Sequence, residues 1–344
     1  MNAKSEYCQL YNALKGKIDA GVYAPGTKLP SERAMIDQFG VSRTTIRRAL
    51  ELLENDKYVS KHPGVGCMVC AQPGEGDVCK LRIGIDIDRI NESQYQRSLF
   101  QHMQNVRYPN LSVEYLVVSH ADVLGGRNDL DGVIMSHFRP GDIARLEKEY
   151  RSTVPLCFLN RTPTRADFAY FAVDYTGVSF KIVSRLLKNG ARRILVAGYS
   201  QSEDYGYAEY TRMQGWMKAY TEFTGSYPEE LMFGKNIALQ MPRFTDFLQK
   251  EHPDVVYVLT GGELPVVWAA MVQAGLVPGK DVDVICFDDI EDFGIHYHPI
   301  TFVRMQLGRI AAMAVEYFAH RDTMPVPKVF VEPQLIVENC KYLF

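Results

Sequence analysis

Over the first 20 positions, Tyr7, Leu10, Tyr11, Leu14 and Ile18 follow the i, i+3, i+4, i+7 spacing that puts one apolar face on a helix. Gly21 is a natural stop, and the Pro- and Gly-bearing run VYAPGTKLP predicts a turn. Ser31 is placed to cap a second short helix, SERAMIDQFG, which Gly40 ends. Ser42 is placed to cap a third, SRTTIRRALELLEND, with Ile46, Ala49, Leu50 and Leu53 facing inward. Two short β-prone runs, YVSK and CMVC, then flank HPGVG, which predicts a hairpin with a glycine tip.

From residue 81 the pattern changes. LRIGIDI, SVEYLVVS, GVIMS, VPLCFLN, RRILVAG, DVVYVLT and DVDVICF are short apolar strands. Between them lie amphipathic segments such as GDIARLEKEY, TGVSFKIVSRLLKNG, ELPVVWAAMVQAG and LGRIAAMAVEYFAHR. Continuous apolar strands alternating with helices predict parallel sheets covered on both faces. The stretch 81–344 is large for one such sheet, so two lobes are expected. AQPGEGDVCK, residues 71–80, has the Gly-rich, charged composition of a linker. The expected organisation is therefore a small α+β head over 1–70, a linker over 71–80, and an α/β body of two doubly wound lobes over 81–344.

Composition narrows the class. Of 344 residues, 47% are hydrophobic and 23% charged, a globular balance that excludes a disordered chain. No run approaches the ~18–20 apolar residues of a membrane span, and the N-terminal segment lacks the apolar core of a secretory signal. Seven scattered cysteines argue against a disulfide framework and for a reducing, cytoplasmic setting with no membrane partner. Cys67-x-x-Cys70 is one pair without a second, and residues three apart on a strand point to opposite faces, so a structural role is expected. His296-Tyr297-His298 lacks an evident third ligand and is expected to be plain loop. No metal or other cofactor is called for.

Charge is uneven. Residues 1–70 hold ten Lys and Arg against seven Asp and Glu, while the remainder holds 28 against 34. A basic head on an acidic body is one footprint of nucleic-acid binding. Arg43 and Arg47, four apart, share the outer face of the third helix, and Thr44 and Thr45 sit in its first turn. Arg can grip guanine N7 and O6 in a bidentate manner, and amides at a helix start favour phosphate. Lys61 and His62, on the hairpin, would lie near the backbone or minor groove. The plainer alternative is a solvated helix with pairs such as Arg47 with Glu51.

The run G-V-Y-A-P-G-T-K-L-P-S-E-R, then F-G-V-S-R-T-T-I-R-R-A-L-E-L-L, then G-V-G-C-M-V resembles the winged helix-turn-helix head of the GntR family of bacterial transcription regulators. The resemblance implies DNA contacts from Arg33, from Arg43, Thr45 and Arg47, and from the wing-tip glycines Gly64 and Gly66. The family usually has Gly where this chain has Asp56-Lys57, and Thr where it has Cys67.

Residues 81–344 resemble the effector domain of the LacI/GalR family, which is similar to periplasmic sugar-binding proteins. V-D-Y-T-G-V-S-F-K-I-V-S-R-L-L-K-N-G-A-R-R-I-L-V, Y-T-R-M-Q-G-W-M-K-A-Y, V-D-V-I-C-F-D-D-I-E-D-F and P-K-V-F-V-E-P-Q-L-I-V-E-N carry it. It implies two lobes with three crossovers, a ligand between them, and Arg212 and Asp288 in that cleft. The chemistry agrees. Asp288 follows an apolar strand, where open α/β sheets bind ligands, and its carboxylate can accept from sugar hydroxyls while Arg212 donates to oxygens. Phe293 is a candidate apolar wall and Asp86, at the end of the first body strand, a candidate from the other lobe. Trp268, in an apolar helix, is better placed as core. Thr260-Gly261 and Met305 stand where the family has Asn-Asp and Gln, so two polar sugar contacts are missing.

The leading expectation is a homodimeric regulator, a repressor, that binds operator DNA with one head per half-site and responds to a sugar-like effector. A DNA-binding regulator without a ligand is the second. An enzyme is the third: GxSxG, GxxxxGK[ST] and HExxH are all absent, and the acids Asp288, Asp289 and Glu291 are its main support.

Overall fold

The computed structural model describes residues 3–62, 65–70, 79–86, 94–107, 111–136, 140–288, 299–321 and 324–343. The chain divides into two units, Met1–Leu81 with Arg107–Glu114, and Arg82–Val106 with Tyr115–Phe344. The linker expected over 71–80 falls, up to residue 78, outside the described residues.

The head follows its sequence pattern closely. It contains α1 (Ala3–Asp19), α2 (Glu32–Phe39), α3 (Arg43–Asn55), β1 (Val59–His62) and β2 (Gly66–Val69). Ser31 Oγ accepts from the Ala34 amide and Ser42 Oγ from the Thr45 amide, each at 3.2 Å, so both caps form as expected. Leu14, Met35, Ile46, Ala49 and Leu53 make the core beneath α3. β1 and β2 pair antiparallel, with Lys61 opposite Cys67 and His62 opposite Gly66. The segment 26–29, assigned to a turn, also zips onto this hairpin. Leu29 N donates to Cys67 O and Val69 N to Thr27 O, both at 2.8 Å. That third strip covers the wing and buries Leu29.

The missing glycine after α3 has a visible consequence. Lys57 adopts φ 56°, the left-handed region that L side chains disfavour by ~1–2 kcal/mol. Its amide donates to Glu54 O, and the turn survives because Tyr58 and Val59 anchor it in the core.

The body has two six-stranded sheets. One has the order β13-β7-β6-β5-β3-β4, from β3 (Cys79–Asp86), β4 (Leu111–Val117), β5 (Gly132–Met135), β6 (Leu156–Leu159), β7 (Ala169–Ala172) and β13 (Lys328–Phe330). The other has the order β14-β12-β11-β10-β8-β9, from β8 (Ile194–Tyr199), β9 (Met232–Gly234), β10 (Val255–Val258), β11 (Asp283–Phe287), β12 (Thr301–Arg304) and β14 (Gln334–Ile336). The central strands are buried on both faces and pair in parallel, as continuous apolar runs require. β14 departs from the expected parallel pattern and returns antiparallel along β12.

The helices are α4 (Gln94–Asn105), α5 (His120–Gly125), α6 (Pro140–Glu149), α7 (Tyr175–Lys188), α8 (Glu203–Thr224), α9 (Met241–Glu251), α10 (Leu264–Gln273) and α11 (Leu307–Ala319). The chain passes between sheets three times, through α7, through α11 and between β13 and β14. The three crossovers implied by the LacI/GalR resemblance are therefore present. α8 crosses α7 closely at Gly215, where an added Cβ would lie 2.4 Å from Thr176 O and 2.7 Å from Ser179 Cβ. Trp216 beside it is wholly buried and donates to Ile194 O, whereas Trp268 is only half-buried.

Candidate nucleic-acid interface and effector cleft

The outer face of α3 is built by its cap. Ser42 fixes the first turn, so the four-residue spacing brings Arg43 and Arg47 side by side in solvent, with 65% and 56% of their side-chain surface exposed. They are not bare. Glu32, at the start of α2, receives Arg43 Nε at 2.7 Å on one oxygen and Arg47 Nε at 3.0 Å on the other. These two guanidiniums, Arg43 first, hold the Glu32 carboxyl below the ordinary carboxylate range. The Arg47–Glu51 pair of the plainer alternative is replaced by this longer-range one.

Thr44 is exposed and shares a 2.8 Å hydrogen bond with Ser42 Oγ. Thr45 is a correction. It is buried, with its hydroxyl 2.8 Å from Ser42 Oγ and its amide on the same cap, so its side chain faces the interior of the head and not the exposed side of α3. Arg33 is exposed on α2. Lys61 is exposed but paired with Glu54 at 2.7 Å, and His62 Nε2 lies 3.0 Å from Ser60 Oγ. Gly66 has φ 113°, a value that requires glycine here. Gly64 lies outside the described residues. Sequence reasoning passed over Lys28, whose main chain bridges to Met68 and whose Cε lies 2.9 Å from where a Gly66 Cβ would be. The signal was the hairpin-like TKL run next to Pro25-Gly26.

Cys67 and Cys70 are both half-buried and in no disulfide. Burial raises the Cys67 thiol above its usual range, which leaves it a protonated, packing side chain.

In the body, the chemistry gathers at strand C-termini. Asp288 follows β11 with φ 66°, and Asn160 follows β6 with φ 55°, so each sheet turns a polar residue through the left-handed region at the end of a strand. Arg212 projects from α8 and is 2% exposed. Its two terminal nitrogens reach the two oxygens of Asp288 at 2.9 Å each, and Nη1 also donates to Leu259 O at 2.6 Å. The guanidinium lies 4.5 Å from the Tyr175 ring and 4.3 Å from the Phe287 ring. Burial opposes its charge, but Asp288 and Tyr175 outweigh this and hold it protonated. Arg212 Nε is buried with no hydrogen-bond partner among the described residues.

From the other lobe, Asn160 Nδ2 donates to Tyr95 Oη at 2.7 Å, while Asn160 Oδ1 is buried without a hydrogen-bond partner among the described residues. Burial pushes the Tyr95 phenol up to about 12, so it stays protonated at neutral pH. Arg161 stacks 4.0 Å over the ring of Tyr207 on α8, a contact from one lobe to the other. The arrangement offers an unused donor from Arg212, an unused acceptor from Asn160, a carboxylate 39% exposed at Asp288, and aromatic walls. That set suits a neutral polyhydroxylated ligand.

Sequence reasoning found Arg212 and Asp288 and the structure brings them together. Asp86 is buried at the end of β3, with its carboxylate 3.6 Å from His120 Nε2 and its carbonyl bonded by Ser136 Oγ at 2.7 Å. Phe293, Asp289, Glu291 and the His296–His298 run lie outside the described residues. Tyr95, Asn160, Arg161, Tyr175 and Tyr207 were missed. For Asn160-Arg161 the signal was available: they follow an apolar strand just as Asp288 does.

Comparison with known proteins agrees with both halves. Residues 6–69 match the bacterial regulatory proteins of the gntR family, and residues 183–338 match the periplasmic binding protein-like domain. The arabinose metabolism transcriptional repressor of Geobacillus stearothermophilus is 24% identical and is aligned over 97% of each chain. Among solved structures, the transcriptional regulator CelR in complex with cellobiose covers 91% of this chain and 100% of its own, with a TM-score of 0.59 and 15% identity. A dimeric lac repressor with an 11-residue C-terminal deletion covers 76% of this chain and 98% of its own, also at a TM-score of 0.59 and 15% identity. No helix among the described residues is long and apolar enough to cross a membrane.

Proposed function

We propose that this chain, which joins a gntR-type winged helix-turn-helix head to a LacI-like body, is a transcriptional repressor whose grip on operator DNA is set by a sugar-like effector in the body. The head spans 1–70, 71–80 links it, and 81–344 binds the effector and dimerises. The chain works by binding and not by turnover. The observation that carries the reading is the outer face of α3, where a serine-capped first turn presents two exposed guanidiniums beside a glycine-tipped wing. In this reading Arg43 and Arg47 enter the major groove, Arg33, Thr44, Lys28, Lys61 and His62 meet the backbone, and Gly66 lets the wing approach closely.

Two heads on a homodimer would read two half-sites, and the effector would act by preferring one lobe arrangement over the other. Arg212, Asp288, Asn160 and Tyr95 are the proposed hydrogen-bonding set, with Tyr175 and Tyr207 as walls. Asp86 and Phe293 remain further proposed contributors. The full-length relative is named for arabinose, so a pentose is the first ligand to try.

The test is a titration of the full chain against a duplex selected from random-sequence DNA. Tight, salt-sensitive binding is expected, with Arg43→Ala weakening it by about tenfold or more. Binding that ignores salt and survives Arg43→Ala would overturn the DNA reading. Calorimetry with arabinose, other pentoses, hexoses and disaccharides tests the effector: one saturable heat, lost in Asp288→Asn, is expected. No heat across the panel would favour a regulator without a sugar ligand, an option that Thr260-Gly261 in place of Asn-Asp keeps in view.

A further inference from the structure

Glu32 sits at the first position of α2, where an acid also suits the helix N-terminus, and is separated in sequence from the arginines it holds. The Ala34 amide in the first turn of α2 is served by Ser31 Oγ. Glu32 instead splits its carboxylate, one oxygen to Arg43 Nε at 2.7 Å and the other to Arg47 Nε at 3.0 Å. Both bonds use the Nε edge. Each guanidinium therefore keeps its Nη1–Nη2 end, the pair of parallel donors that matches N7 and O6 of guanine. One carboxylate thus fixes the roll of two flexible side chains one helical turn apart and leaves their base-reading ends outward.

We propose that Glu32 is the positioning residue that gives the α3 arginines their sequence discrimination, at the expense of some non-specific attraction to DNA. The inference rests on the reading of α3 as the DNA-reading helix. Two opposing effects follow from the geometry. A carboxylate beside two guanidiniums cancels part of their field, so it weakens attraction to any duplex, whatever its sequence. It also removes rotamer freedom that each arginine would otherwise lose on contacting a base, so it favours the duplex whose guanines meet the preset ends. The ratio of specific to non-specific affinity rises while the non-specific term falls.

The experiment uses the full chain and two duplexes of equal length, one selected from a random library by the native protein and one shuffled from it. Glu32→Gln keeps the shape and a single acceptor oxygen but removes the charge. The expected result is tighter binding to the shuffled duplex by about two- to threefold, weaker binding to the selected one, and a specificity ratio lower by about tenfold. Repeating the selection with Glu32→Gln is expected to relax the preferred bases at the positions lost in Arg43→Ala and Arg47→Ala, and at no others. Combining Glu32→Gln with Arg43→Ala is expected to change the ratio by less than the product of the two single effects.

A specificity ratio unchanged in Glu32→Gln, or a parallel fall on both duplexes, would overturn the inference while leaving the DNA reading intact. Parallel loss is what a merely structural role at the α2 terminus would give. Failure of the native chain to enrich any duplex would instead remove the DNA reading, and this inference with it.

Discussion

In the head, Glu32 spans two guanidiniums that keep 65% and 56% of their surface in water; in the body, Asp288 grips one guanidinium that keeps 2%. The same pair of chemical groups does different work in the two places. An exposed pair gains ~0–1 kcal/mol and can be traded for another partner at little loss. That suits a surface whose guanidiniums are oriented by a carboxylate and still reachable from solvent. A buried guanidinium has no such freedom. Its desolvation is offset by Asp288, Leu259 O and two aromatic rings together, so removing one of them exposes the loss. The head pair orients its arginines in water, and the body pair neutralises a charge sealed from it.

The largest expected effect tests what holds the body pair in place. Gly215 lies three residues after Arg212 on α8 and lets that helix settle against α7. Gly215→Ala would drive a methyl into Thr176 O, and a loss of about 3 kcal/mol in denaturant unfolding of the body is expected. A loss under ~0.5 kcal/mol would mean that Arg212 does not depend on that close crossing. Next, Asp288→Ala leaves the Arg212 charge buried and half-compensated. A loss of about 2 kcal/mol is expected, toward the low side of such changes because Asp288 is 39% exposed. Glu32→Ala in the same assay should stay within ~0.5 kcal/mol, and equal losses at the two sites would end the contrast drawn above. Opposite in sign is Lys57→Gly. It relieves a left-handed φ of 56° and is expected to raise head stability by about 1 kcal/mol in thermal unfolding, with DNA affinity unchanged.

The head was legible because its signals are local. Ser31 and Ser42 cap, Gly40 stops, and the apolar residues of α3 keep strict helical spacing. The body strands were legible because burial on both faces leaves them almost purely apolar. What escaped depends on partners distant in sequence. Nothing near Arg43 announces Glu32, eleven residues away in another helix. Thr45 reads as outward because it lies in the first turn next to two outward residues, yet the cap draws its hydroxyl inward. β7, β13 and β14 are short, and β14 shows a mostly exposed pattern, so period and hydropathy carry little signal there. In the cleft, the Arg212–Asp288 pair was implied by the LacI/GalR resemblance, and for Asp288 the rule that ligands meet strand C-termini agreed. The partner set on β6 obeys the same rule, and was overlooked because Asn160-Arg161 lacks a carboxylate to draw attention.

The third crossing between sheets has a consequence for how the protein is made. β13 lies at one edge of the first sheet and β14, a few residues on, at one edge of the second. The first six-stranded sheet is complete only when the ribosome has delivered residue 330 and the second only at residue 336, although the inner strands of both are long finished. The two lobes must therefore wait, each with an open edge, for one late ribbon that serves them both. A stop codon shortly before that ribbon would leave two unfinished domains instead of one, and nascent chains of that length are where chaperone demand should peak.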